Sequence, residues 1–236
     1  MTQQTLVVED LVVRYGKVMA VRGASLNLRQ GEVIAVIGPN SAGKSSLLEA
    51  IAARTPGRTV EGSASFADLP LLHMKTRDRW HRGVRLVPQG RQIYPSLSVV
   101  DNLRVIADNL GVSWKEGVER SFSLLPPEFS DRLKIRLRVP AGNLSGGEQQ
   151  MLALARALIG EVGMVLLDEP GLGLAPRITR DLAAMIETWA KRGIGVLVAD
   201  QTLRRWIKVV DRIYTIVRGH LAEHTGEKES VDQLNV

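Results

Sequence analysis

"EVIAVIGPNSAGKSSLLEAIAAR", Glu32 to Arg54, decides the fold. It opens with a Val- and Ile-rich run ending at a glycine, the pattern of a buried strand, and closes with Leu47, Leu48 and Ile51 at helical spacing. Between them "GPNSAGKS", Gly38 to Ser45, fills every position of the phosphate loop G-x-x-x-x-G-K-[ST], directly after a strand and directly before a helix. Glycines let the backbone of Gly38, Pro39, Asn40, Ser41, Ala42 and Gly43 wrap so that its N–H groups, of which Pro39 has none, face one centre, and the helix start adds its positive dipole end. Lys44 is expected to reach the β- and γ-phosphates of a nucleotide, Ser45 to ligate Mg²⁺, and Ser46 to donate to the α-phosphate.

Working outward, the same strand-then-helix unit recurs. "GMVLLDEP" precedes "PRITRDLAAMIETWAKRG", and "IGVLVADQ" precedes "TLRRWIKVV". Strands alternating with helices of this length predict a mostly parallel sheet covered on both faces, an α/β fold. "TLVVEDLVVRYG" and "ASLNLRQG" read as antiparallel strands near the start. The stretch from about Leu97 to Gly142 lacks strand signals and reads as a helical insert. The expectation is therefore one domain over 1–236: a core with an antiparallel β subdomain at 1–96 and 143–236, and a helical subdomain at about 97–142. The tail from Gly226 onward reads as a small terminal helix or a frayed end.

"MVLLDEP" supplies the acidic end. Four apolar residues deliver Asp168 to the carboxyl edge of the sheet, where a carboxylate can hold Mg²⁺ opposite Ser45. Glu169 follows immediately and so points elsewhere, placed to orient an attacking water as general base.

Composition bounds the rest. With 44% hydrophobic residues in 236 the chain can bury a substantial core. Its 31 Lys+Arg against 25 Asp+Glu give a formal charge of +6, and aromatics make up only 4%, so no nucleic-acid partner is expected. The one concentrated basic run, "RLKIRLR" at Arg132 to Arg138, is either a half-exposed strand or helix face or a contact for anionic lipid. There is no cysteine, which fits a reducing compartment. No signal peptide is visible, and no apolar run approaches the ~20 residues that span a bilayer. Work on a membrane would go through a partner.

A second glycine turn, "NLSGGEQQMLALARAL" from Asn143 to Leu158, also opens a long helix and so repeats the backbone of an anion site. "LSGGEQQ" resembles the signature of the ATP-binding cassette ATPases, and the phosphate loop and "LLDEP" stand in that family's order from Tyr15 to about Glu223. The resemblance implies a head-to-tail dimer in which Ser145, Gly146, Gly147 and Glu148 of one subunit close over ATP held by the other. It further implies that Tyr15 stacks on adenine, a core tyrosine being the alternative. Gln89 would touch Mg²⁺ or the water and sense the γ-phosphate. Beside it, Ile93, Tyr94, Pro95 and Leu97 would line a groove for a permease helix or serve as ordinary core.

Three departures from the family pattern stand out. Gln201 in "LVADQTL" occupies the place of a histidine that contacts the γ-phosphate. Ala175 in "GLGLAP" replaces an aspartate, and Ser41 replaces a glycine, mildly if its φ is negative. Together these features are similar to cassettes that import branched-chain and other hydrophobic amino acids, and to those of urea and short-amide importers. The implied protein is an ATPase with Glu169 and Gln201 at the reacting end, using ATP and Mg²⁺. It would lie peripherally on the cytoplasmic face of the inner membrane with transmembrane permease subunits, a second cassette, and a periplasmic or extracellular substrate-binding protein. A soluble cassette acting on ribosomes or DNA is the alternative, and a phosphate-loop kinase leaves "LSGGEQQ" unexplained.

Overall fold

The computed structural model describes residues 4–54 and 57–225, so the tail from Gly226 lies outside the described residues. Two sheets form. The first, in the order β2-β1-β4-β5, pairs β1 (Thr5–Tyr15), β2 (Val18–Arg29), β4 (Thr59–Phe66) and β5 (Leu69–Pro70) antiparallel throughout. The second has the order β10-β9-β3-β8-β7-β6 and comprises β3 (Val33–Ile37), β6 (Val84–Val87), β7 (Met164–Asp168), β8 (Gly195–Asp200), β9 (Arg212–Val217) and β10 (His220–His224). It is parallel except for the β9–β10 hairpin.

The central strands are buried on both faces, which explains their unbroken apolar runs. On β3, Val33, Ala35 and Ile37 enter one core with α6 (Gly146–Ala157) and α7 (Pro176–Lys191), and with α3 (Val99–Leu110), α4 (Trp114–Ser123) and α5 (Pro127–Ile135). Ile34 and Val36 face the other way, into a core shared with α1 (Lys44–Ile51) and the antiparallel sheet. This period of two from one strand is what lets a single sheet serve two cores.

The chain order matters for the site. β8 lies between β3 and β7, with Ile37 opposite Asp200 and Asp168 opposite Ala199. The loops after all three strands therefore leave the same edge side by side, where ligands bind open parallel sheets. Helix α1 has no basic residue in its last turn. Arg79, on α2 (Thr76–His81), supplies one: its Nη1 donates to Ala50 O at 2.6 Å and also to Ile51 O, and Nε donates to Met74 O at 3.2 Å. Burial lowers its pKa to about 10, which still leaves a cation to complement the carbonyl end of the helix.

One expected element differs. "TLRRWIKVV" forms no regular helix but a run of turns in which Trp206 N–H and Ile207 N–H both donate to Leu203 O, and Val209 N–H and Val210 N–H both donate to Trp206 O. The Asp200 carboxylate draws the chain back on itself, as described below. The basic run resolves as a helix end. Leu133 is buried, while Arg132, Lys134, Arg136 and Arg138 are exposed and Ile135 is 85% exposed.

Candidate active site

The phosphate loop joins β3 to α1 as its sequence requires. A Cβ on Gly38 would lie 2.2 Å from Ile216 O, and one on Gly43, at φ 113°, 2.3 Å from Ala20 O, so neither position admits a side chain. Lys44 is 4% exposed and donates from Nζ to Gly38 O at 2.8 Å and Pro39 O at 2.9 Å. Asn40 and Ser41 are exposed at the tip, while Ala42 is buried beneath them. Ser41 has φ 63°, so the condition for a mild replacement fails: a serine there carries the left-handed cost of about 1 kcal/mol that glycine avoids.

At the end of β7 the two acids separate. Asp168 is 3% exposed, and its Oδ1 is buried with no hydrogen-bond partner. Burial raises its pKa, and the Ser45 hydroxyl beside the carboxyl opposes that shift. Glu169 leaves the strand at φ 45°, with its N–H donated to Ala199 O at 2.8 Å. That backbone turn swings its carboxylate toward Lys44, whose Nζ lies 3.3 Å from Oε1. Gln89 Nε2 donates to Oε2 at 3.3 Å, and Gln201 Nε2 lies 3.3 and 3.2 Å from Oε1 and Oε2. One carboxylate is thus held by an ammonium and two amides from three different loops.

The glycine turn opens α6. Ser145 is the N-cap: its Oγ accepts from Glu148 N at 3.3 Å, and Glu148 Oε2 accepts from Ser145 N at 2.8 Å, a reciprocal capping box. The bond to Glu148 uses a lone pair of the Ser145 oxygen, which keeps its O–H proton available to an acceptor. The burial of Glu148 works against its charge, but the Ser145 bonds and the nearby Arg136 and Arg132 outweigh it and hold its pKa low.

The ABC transporter family profile matches residues 21–171. The chain is 33% identical over 213 residues to BraG of Pseudomonas aeruginosa, a high-affinity branched-chain amino acid transport ATP-binding protein, covering 89% of this chain and 88% of BraG. The chain is an ATP-binding cassette ATPase. This cassette is also 32% identical over 238 residues to LptB of Escherichia coli, a lipopolysaccharide export system ATP-binding protein, covering 98% of this chain and 95% of LptB. Among solved structures it is similar to MJ1267, an ATP-binding cassette of an ABC transporter in its ADP conformation. That likeness has a TM-score of 0.80 and 28% identity, and covers 97% of this chain and 93% of the other.

In this cassette Tyr15 is no core residue. It is 38% exposed, its hydroxyl is 3.1 Å from Ser46 Oγ, and the Arg58 guanidinium lies 4.5 Å from its ring centroid. Nor are Tyr94 and Pro95 core: both are exposed, whereas Ile93 and Leu97 are half-buried. Ile93 and Pro95 line a cavity of about 600 Å³ that also reaches Gln89, Asp168 and Glu169. Tyr94 lines a neighbouring cavity of about 320 Å³ with Arg156, whose guanidinium lies 4.8 Å from its ring. Sequence reading passed over Arg91, which sits at φ 66° after Gly90 and donates from Nη1 to Gln149 Oε1 at 2.9 Å, tying the Gln89 loop to the signature helix. A lone arginine in a loop carries no sequence signal of that role. Among the described residues no helix is long and apolar enough to cross a membrane.

Proposed function

We propose that the cassette powers uptake of hydrophobic, branched-chain-type amino acids through separate permease subunits, working peripherally at the cytoplasmic face of the membrane beside a substrate-binding protein. The observation that carries the catalytic part is the Glu169 carboxylate gathered with Lys44, Gln89 and Gln201 at one sheet edge. Glu169 acts as general base for the attacking water, Gln201 and Gln89 hold it in line, and Lys44 transfers to the β- and γ-phosphates when ATP enters. The loop amides from Gly38 to Ser46 cradle the phosphates, and Tyr15 stacks on adenine.

The residues fit Mg²⁺. Asp168 offers a buried oxygen with no partner, beside the Ser45 hydroxyl. No group of three or more His, Cys, Asp or Glu side chains that could hold a metal ion occurs among the described residues, so beyond Asp168 and Ser45 the ion would take its ligands from phosphate and water. Bound there, Mg²⁺ would neutralise charge on the phosphates, held by Asp168 and Ser45 with Gln89 nearby.

The division into a core at 1–96 and 143–236 and a helical insert at about 97–142 is supported by α3–α5 occupying the insert. Ser145, Gly146 and Gly147 face the γ-phosphate of a partner cassette, with Glu148 fixing the Ser145 backbone. Nucleotide binding then drives association, and hydrolysis releases it by removing the group the signature binds. Support for amino-acid uptake comes from the likeness to BraG, with Gln201 and "GLGLAP". The near-equal likeness to LptB makes export the reading to test against. Assembled with its permeases in liposomes, the cassette should drive ATP-dependent leucine accumulation, and none with leucine, isoleucine or valine overturns the substrate class. For the dimer, Glu169→Gln should give an ATP-dependent doubling of mass by light scattering that Ser145→Arg abolishes.

A further inference from the structure

We propose that Trp206 is a positioning residue for ATP hydrolysis, acting through Asp200 to hold Gln201 against Glu169. The inference rests on the assignment of Gln201 as a partner of the base, and four observations carry it.

First, Asp200 is 2% exposed yet shared among several donors. Its Oδ1 accepts from Gln201 N at 2.7 Å and from Thr202 N and Arg205 Nη1 at 3.4 Å, and its Oδ2 accepts from Trp206 Nε1 at 2.8 Å. Second, its backbone carbonyl accepts from Gly38 N at 3.2 Å, so the same residue touches the start of the phosphate loop. Third, the indole of Trp206 is fully buried. Fourth, a Cβ built on Gly171 would lie 3.5 Å from the indole Cζ2, so the ring edge packs against the loop two residues beyond Glu169. Trp206 therefore braces both loops whose side chains meet at the base, one through its N–H and the other through its ring.

The chemistry explains why a tryptophan and not a plain apolar residue stands here. A buried carboxylate with one oxygen unbonded turns to find a partner, and its other oxygen moves with it. Gln201 is exposed and its own amide contacts are long, so it has little else to fix its direction. Losing the indole N–H frees Asp200 to rotate, the Gln201 N–H loses its fixed acceptor, and the side-chain amide drifts off Glu169.

Trp206→Phe keeps a large ring and removes the N–H. Its kcat for ATP should fall about fivefold to tenfold with KM for ATP within about twofold of the parent, because phosphate and base contacts are untouched. Asp200→Asn, which leaves one oxygen for the four donors, should fall likewise and reads the same link if the phenylalanine variant fails to fold. The decisive measurement is epistasis: in a Gln201→Ala background Trp206→Phe should cost less than about twofold further, since the residue it positions is gone. A parental kcat for Trp206→Phe beside a slow Gln201→Ala overturns this proposal alone, as does a full multiplicative loss in the double variant, which would mark Trp206 as core filling. A parental kcat for Gln201→Ala overturns both this proposal and the assignment beneath it.

Discussion

Replacing Gln201 by alanine tests the site most directly, because the geometry fixes what is lost. The amide nitrogen lies 3.3 and 3.2 Å from the two oxygens of Glu169, so alanine removes one donor to a charged acceptor and leaves Lys44 and Gln89 in place. A hydrogen bond to a charged group is worth about 1.5–3 kcal/mol, or about tenfold to a hundredfold in rate. Both distances exceed the common N–H···O value of about 2.9–3.0 Å and Gln201 is exposed, which places the expected fall in kcat near the tenfold end. The assay is steady-state ATP turnover across the range from about pH 5.5 to about 8.5 for parent, Gln201→Ala and Gln201→His. The parent should show no inflection near the ~6.5 of an imidazole, and the histidine variant should add one. An alanine variant with parental kcat would refute the reasoning and leave Gln201 as a residue of the loop only.

Three further outcomes follow from the same geometry. Lys44→Ala removes the only side-chain cation of the loop and strips Glu169 of its buried ion pair, so hydrolysis should be lost and nucleotide binding, by fluorescent-ATP titration, weakened at least tenfold (about 1.4 kcal/mol). Asp168→Asn replaces a buried carboxylate whose Oδ1 lacks a partner, and should raise the thermal stability of the nucleotide-free chain by about 1 kcal/mol while abolishing Mg²⁺-dependent turnover. Because the folded pKa of Asp168 lies above its ordinary value, protonation favours the fold. That contribution is full below the ordinary value and fades as pH rises through the raised one, so the stability gap between parent and Asp168→Asn should narrow in acid while Mg²⁺ affinity falls, measurable by melting the pair and by Mg²⁺ titration. Ser41→Gly relieves a left-handed serine and should stabilise the chain by up to about 1 kcal/mol in denaturant melts; a loss instead would show that Ser41 makes a contact worth its strain.

Much of this was legible in the chain because the strongest signals sit where few alternatives fold. "AVIGPNSAGKS" admits a strand, a turn with glycine at Gly38 and Gly43, and a helix, and the structure has all three. "LLDEP" keeps its two acids apart as expected of neighbours at a strand end, and the structure does so by turning out of β7 at Glu169, φ 45°. What escaped reading was tertiary. The alternation of "TVEGSASF" holds β4, yet Gly62 and Ala64 leave Val60 and Phe66 as its only bulky apolar positions, too weak a local signal for a strand. "TLRRWIKVV" has helical spacing, but its N–H groups close in turns on Leu203 O and Trp206 O while the Trp206 indole donates to the Asp200 carboxylate, a contact visible only in three dimensions. The convergence of Gln89 and Gln201 on Glu169 depends on strand order, which no local pattern carries.

That strand order also sets when the protein can acquire its activity during synthesis. The strand bearing the phosphate loop, β3, emerges early, but both of its neighbours, β8 at Gly195–Asp200 and β9 at Arg212–Val217, are made near the end. Until then its edges are unpaired apolar backbone, the kind of surface that aggregates or recruits chaperones. The β1–β2–β4 sheet closes on local pairings and can form on the nascent chain, whereas the nucleotide cradle waits for the last quarter. A chain stopped before β9 would carry every nucleotide-binding motif and still lack the strand that seats Gly38 and Gly43, so premature termination yields a silent product with no rogue ATPase.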